Sequence, residues 1–178
     1  MRRIGLFAAL LAAVIVVLGV SSAIADSGKK NLKAGDLTGL EENPDISTVA
    51  GGSFEVSLDD DARTLTYELS FGGLEGTVQQ AHIHFGKRGV NGGVTVFLCG
   101  TAATPGPAGT PVCPQSGTVS RTVTAADILP PGTQGIEAGN YEELAAALRS
   151  GHAYANVHSS KWPGGEIRAQ INDQDEDD

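Results

Sequence analysis

Two histidines, His82 and His84, are separated by a single residue in the run Gln80-Ala81-His82-Ile83-His84-Phe85. Side chains alternate between the two faces of an extended strand, so both imidazoles share one face and the apolar residues share the other. Neighbouring positions on one face lie roughly 7 Å apart, which allows two imidazoles to reach one metal ion or one anionic group. An ordinary solvated or hydrogen-bonded pair of histidines is the alternative interpretation.

A second stretch with the same alternation lies near the end of the chain. The run His152-Ala153-Tyr154-Ala155-Asn156-Val157-His158 places small apolar residues on one face and polar residues on the other. Gly164-Gly165 then form a turn into Glu166 and Arg168, which could be a functional pair beside the histidines or a cross-strand ion pair. We expect two neighbouring strands with a polar outer face. The candidate ligand face on these strands consists of Tyr154, Asn156, Glu166 and Arg168.

The rest of the chain supplies short strands and turns that would support these two stretches. Residues 52–58 and 63–71 alternate apolar with polar side chains, and Asp59-Asp60-Asp61-Ala62 forms a turn between them. The only convincing helix lies near residues 140–150, where Asn140 is a good N-cap. This pattern predicts an all-β fold, either an antiparallel β-sandwich or a Greek-key barrel, with one short helix.

The first residues have the features of a targeting segment. Arg2 and Arg3 precede a continuous apolar run, and Ala23-Ile24-Ala25 is a small-residue cleavage signal, so residues 1–25 are predicted to be a signal peptide. An uncleaved anchor is the alternative, because the run is close to the lower length limit of a membrane span. We therefore expect a secreted, periplasmic or cell-envelope protein with no stable membrane insertion after cleavage.

Beyond this segment the sequence predicts one domain with polar ends. We expect a linker at residues 26–34, the domain at residues 35–172 with a first strand at 36–40, and a disordered acidic tail at 173–178. Without the signal peptide the chain has 10 basic and 21 acidic residues, which gives a net charge of −11. This charge makes nucleic acid and anionic membranes poor partners.

The two cysteines, Cys99 and Cys113, both lie in the exported part. We predict a disulfide between them, which would close a segment rich in Gly, Pro and Thr. Two cysteines fourteen positions apart without a CxxC motif are a poor zinc or redox site.

Several of these stretches together resemble the CHRD domain family, which is named after chordin. The matching pieces are Leu37-Thr38-Gly39, Ala81-His82-Ile83-His84, Leu144 to Leu148, Tyr154-Ala155-Asn156-Val157-His158 and Pro163-Gly164-Gly165-Glu166-Ile167-Arg168. The resemblance covers residues 35–172 and implies an immunoglobulin-like β-sandwich with an extracellular binding role. It also implies that His82, His84 and His158 occupy family motif positions, whereas His152 does not.

The strand with His82 and His84 is also similar to the copper-ligand strand of copper-zinc superoxide dismutases. That similarity implies a copper or zinc site in which His158 supplies a third ligand. A complete dismutase needs further histidines and an aspartate in the following loop, and Phe85 to Gly93 contains none. The sequence therefore argues against that enzyme.

Three functions remain open from the sequence. The first is an exported, non-enzymatic binding module whose partner is an extracellular protein or a small ligand. Such a module could bind a metal ion through a three-histidine site. The second is a copper- or zinc-dependent redox protein of the superoxide-dismutase type, built on the same histidines. The third is a structural cell-envelope protein in which the histidines have no special role.

Overall fold

A computed structural model describes residues 28–171 as two packed β-sheets with one helix. The predicted signal peptide at residues 1–25 and the predicted acidic tail at residues 173–178 lie outside the described residues. Within the described part of the chain, no helix is both long enough and apolar enough to cross a membrane.

Within residues 28–171, eight strands form two antiparallel sheets. In chain order the elements are β1 (Lys29–Lys33), β2 (Gly51–Asp59), β3 (Thr64–Gly72), β4 (Val78–Phe85), β5 (Gly93–Gly100), β6 (Gly117–Val123), α1 (Tyr141–Arg149), β7 (Ala153–Ser159) and β8 (Ile167–Gln170). The first sheet has the strand order β1-β2-β3-β6 and the second has the order β5-β4-β7-β8. These sheets confirm the all-β prediction as a sandwich, because the described strands leave open edges and do not close into a barrel.

The predicted alternation of apolar residues builds the core between the sheets. Leu65 and Leu69 of β3 are buried against the second sheet, where Ala81 and Ile83 of β4 are also fully buried. The Tyr67 hydroxyl donates a hydrogen bond across the core to the carbonyl oxygen of Leu98 in β5. A buried tyrosine needs such a partner for its polar end, so this bond helps to fix how the two sheets pack.

The chain between β1 and β2 connects the edges of both sheets. Leu37 forms a bridge to β2 in the first sheet, whereas Thr38 forms a bridge to Arg168 in β8 of the second. The strand predicted at residues 36–40 is therefore wrong, because the segment changes partner sheets and continues into a 3-10 turn at Gly39–Glu41. This crossing brings the residues that follow it to the outer face of the second sheet.

The linker predicted at residues 26–34 is also wrong for Lys29–Lys33, which form strand β1. All five residues of β1 pair with β2, yet only Leu32 is buried. An edge strand with one buried side chain lacks the alternation by which strands are predicted. Its lysines are typical of an exposed edge that must not pair with other chains.

The predicted helix lies where the sequence places it. Helix α1 spans Tyr141–Arg149, and the Asn140 side chain accepts a hydrogen bond from the Glu143 amide, which confirms the N-cap.

The sulfur atoms of Cys99 and Cys113 lie 2.05 Å apart, as a disulfide requires. This link ties the end of β5 to the loop before β6.

Candidate metal centre

Neighbouring central strands bring the three histidines together. Strand β4 lies between β5 and β7, and its register places His84 opposite Tyr154 and His82 opposite Asn156. His158 lies two residues beyond Asn156 and therefore shares the same outer face. Both histidines of β4 follow register shifts against β5, and such bulges re-aim side chains.

The ligand nitrogens of these histidines lie close together. One nitrogen from each of His82, His84 and His158 lies within 4.8 Å of the other two. His82 Nδ1 and His158 Nε2 are 3.1 Å apart. Three nitrogens that bind one ion at about 2.0–2.1 Å lie about 3.5 Å from one another, so small side-chain shifts would let this cluster hold an ion. The structure brings together all three residues that the sequence suggested as ligands.

Backbone carbonyl groups fix the tautomers of two rings. His84 Nδ1 lies 2.9 Å from the carbonyl oxygen of Gly92, and His158 Nδ1 lies 3.1 Å from that of Pro163. A carbonyl oxygen only accepts, so each Nδ1 donates and each Nε2 presents a lone pair. Metal-binding histidines usually donate from the remote ring nitrogen to a carbonyl or carboxylate oxygen in this way.

The histidine face is buried rather than solvated. His82 is 5% exposed, and His84 and His158 are each 8% exposed. The Nε2 atoms of His82 and His84 are buried and have no hydrogen-bond partner among the described residues. An unpaired buried polar atom costs about 1–3 kcal/mol, and a ligand bound by His84 Nε2 would remove that cost for His84. The expected polar outer face is thus present. Of the alternative interpretation, the solvated pair is wrong, whereas hydrogen-bonded histidines remain, because His82 Nδ1 lies within hydrogen-bond distance of His158 Nε2.

Burial also sets the charge of the cluster. It lowers the pKa of His82 to about 2, with further lowering from His158 and His84. It lowers the pKa of His84 to about 4 and moves the pKa of His158 in the same direction. The neutral imidazole is the form that binds metal ions. All three rings are therefore ready to act as ligands at neutral pH.

A stack of side chains supports one side of the cluster. The rings of His84 and Tyr154 are parallel, with centroids 4.8 Å apart, and the guanidinium carbon of Arg168 lies 3.4 Å from the Tyr154 ring centroid. Arg168 also donates hydrogen bonds to the carbonyl oxygens of Lys87 and Val90. These two residues belong to the glycine loop, residues 86–93, so Arg168 fastens this loop over the outer face.

Gly92 connects the glycine loop to the cluster. Its carbonyl oxygen accepts from His84, and its amide donates to the Tyr154 hydroxyl at 3.1 Å. A Cβ atom at this position would collide with the carbonyl oxygen of Phe85, so only glycine allows the approach. Because the loop positions His84 through a backbone carbonyl group and not through a side chain, its residue types did not predict this role.

Glu42 belongs to this region although its sequence context did not single it out. It is only 8% exposed, and its Oε1 accepts a hydrogen bond from Asn156 Nδ2 at 2.6 Å. Burial raises the pKa of Glu42 to about 7, against the opposing effects of the Asn156 hydrogen bond and the Arg168 charge. The segment that crosses between the sheets delivers this carboxyl group to the outer face.

The candidate Glu166 and the fourth histidine, His152, lie outside the cluster. Glu166 is fully buried, and its Oε1 accepts from the Thr48 hydroxyl and the Glu75 amide. Because Arg168 points to the glycine loop, the two charged residues have different partners and do not form the cross-strand pair considered above. His152 is exposed and hydrogen-bonds locally to the carbonyl oxygen of Ser150.

Comparison with known proteins gives one match. The family model described as CHRD domain matches residues 34–171, which include the three histidines and both cysteines. No curated protein and no solved structure matches the chain. The family match confirms the resemblance found in the sequence.

Proposed function

The chain belongs to the CHRD domain family, and from this premise we propose that it is an exported binding module whose ligand is one copper or zinc ion. The observation that carries the proposal is the convergence of His82, His84 and His158, whose ligand nitrogens lie within 4.8 Å of one another. Imidazole nitrogen suits both metals.

The hydrogen bonds of the cluster favour a ligand over a purely structural role. A structural cluster gains most when each buried polar atom has a partner. Here the remote nitrogens of His84 and His158 are satisfied by carbonyl groups, and His158 Nε2 lies 3.1 Å from His82 Nδ1, whereas His84 Nε2 is buried without a partner among the described residues. This division between an anchored nitrogen and a free nitrogen is typical of a ligand set.

Export is proposed from two independent features. The sequence predicts a signal peptide at residues 1–25, and the pairing of Cys99 with Cys113 suits an oxidising compartment. A binding role is preferred over a redox enzyme of the dismutase type, because residues 86–93 supply positioning carbonyl groups but no second set of ligands.

Metal analysis of the exported protein tests the proposal. The protein is purified without a histidine tag, stripped with a chelator and titrated with zinc and with copper, and bound metal is measured by elemental analysis. The expected result is one ion per chain. Trp162, the single tryptophan, precedes the residue whose carbonyl accepts from His158 and provides a fluorescence signal for binding.

Matched histidine variants make this test specific. His158→Ala is expected to lose the ion, whereas His152→Ala removes an exposed imidazole outside the cluster and is expected to retain one ion per chain. Circular dichroism shows whether each variant is folded. Failure of the stripped wild-type protein to take up either metal, or equal uptake by both variants, would refute the proposal.

A further inference from the structure

We propose that the three-histidine site selects monovalent copper, which it holds as a three-coordinate ion in preference to divalent copper or zinc. This inference rests on the proposed function and names the ion for the same site. It follows from the number of donors, the exclusion of water and the charge around the cluster.

The number of donors is the first argument. Among residues 28–171, the clustered group of metal-binding side chains contains only His82, His84 and His158. Two polar neighbours have partners of their own, since the Tyr154 hydroxyl accepts from the Gly92 amide and Asn156 Nδ2 donates to Glu42. Zinc usually takes four ligands, and divalent copper prefers tetragonal geometry. A three-donor set suits an ion that accepts a lower coordination number.

Burial of the histidines limits the access of water, which usually supplies the fourth ligand of a metal ion. Zinc sites with three protein ligands complete their shell with water. The three histidines are at most 8% exposed, and the Phe97 ring packs edge-on against His82 at a centroid distance of 4.4 Å. The glycine loop covers the same face and is fastened by Arg168. A water molecule therefore has little room to become a fourth ligand.

Charge is the third argument. Three neutral imidazoles leave the full charge of the ion uncompensated, and the Born cost of burying an ion rises with the square of its charge, about fourfold from one to two. Arg168 adds a positive charge through its stack with Tyr154 and His84. Glu42 is a buried carboxyl group nearby, but its raised pKa leaves it partly neutral at pH 7. Glu166 is also buried, and its Oε1 accepts from Thr48 and from the Glu75 amide.

Competition titrations test the selectivity. Stripped protein is titrated anaerobically with monovalent copper against bicinchoninate, and separately with divalent copper and with zinc against nitrilotriacetate. We expect the dissociation constant for monovalent copper to be at least about 100-fold below the other two. X-ray absorption at the copper edge is expected to show three nitrogen neighbours.

Two arginine variants test how far the positive charge of Arg168 contributes to the preference for monovalent copper. Arg168→Met is expected to narrow the preference for monovalent over divalent copper by about tenfold, the effect of one charge several ångströms away. Arg121→Met, which removes an arginine from the first sheet, is expected to leave the preference unchanged. If Arg168→Met does not fold, the wild-type ratio and the coordination number decide alone.

The possible results separate the two proposals. Binding of zinc or divalent copper as tightly as monovalent copper, with loss of binding in His158→Ala, would overturn the selectivity and leave the metal site standing. A coordination number of four or more would also overturn the selectivity. Absence of binding for all three ions would overturn both proposals.

Discussion

Acid should destabilise the metal-free protein through its buried histidines. The pKa values of His82 and His84 are lowered to about 2 and about 4 in the folded protein, whereas an unfolded histidine has a pKa near 6.5. Between these values the unfolded chain binds more protons than the folded chain, so the free energy of unfolding falls as the pH falls. His158 acts in the same direction.

The magnitude follows from the pKa shifts of His82, His84 and Glu42. On going from pH 7 to pH 5, each of His82 and His84 lowers the free energy of unfolding by about 2 kcal/mol. Glu42 acts in the opposite direction, because its folded pKa is raised from 4.5 to about 7 and the folded protein binds the extra proton. Glu42 therefore adds about 2 kcal/mol over the same interval. These three groups leave a net loss of about 2 kcal/mol.

Substitution of Glu42 separates its contribution from that of the histidines. Glu42→Gln keeps the hydrogen-bonding shape but cannot titrate, so the loss between pH 7 and pH 5 should grow to about 4 kcal/mol. His84→Gln should reduce the loss by about 2 kcal/mol, since it removes one buried imidazole. His152→Ala is the matched control for removing an imidazole outside the cluster.

Urea unfolding with a chelator present is the assay. Circular dichroism and Trp162 fluorescence are followed at pH 7, 6 and 5 for each variant, and the free energy of unfolding is extrapolated to zero urea. The titrations assigned to Glu42 and the histidines are refuted if the free energy of unfolding of Glu42→Gln depends on pH no more strongly than that of the wild type. They are equally refuted if His84→Gln and His152→Ala change this pH dependence alike.

Other predictions concern the support of the site and the fold. Gly92→Ala should destabilise the protein by about 2–4 kcal/mol in urea unfolding, because the new Cβ collides with the Phe85 carbonyl oxygen. Asn140→Ala should cost about 1 kcal/mol by the same assay, since it removes the helix cap. Reduction of the Cys99–Cys113 pair should cost about 3 kcal/mol, and the double Cys→Ala variant should then show no response to reductant.

The periodicity of β4 and β7 contains the information that brings the histidines together. A period of two places His82 and His84 on one face, and the same rule places Tyr154, Asn156 and His158 on one face of β7. The alternation does not predict that these polar side chains are buried. The outer face is polar in both strands, and it is buried because the glycine loop and the crossing segment lie over it.

Residues without a periodic pattern were the hardest to predict. Glu42 follows a 3-10 turn, and it is buried only because the preceding segment changes from one sheet to the other. Strand β1 has one buried residue, Leu32, and its pairing depends on the exposed backbone of β2. Both features arise from tertiary contacts that leave little trace in local sequence.

The contact of Arg168 with the glycine loop sets an order of events during synthesis. The loop at residues 86–93 leaves the ribosome about 80 residues before Arg168, and chains emerge from the N-terminus. His82 and His84 are thus made well before His158 and before the side chain that fastens their cover. A chain that ends before His158 has two of the three ligand histidines, and its glycine loop lacks the hydrogen bonds from Arg168. The proposed ion would therefore find its complete ligand set only after β7 has been made, and a fastened loop only after Arg168 of β8 has been made.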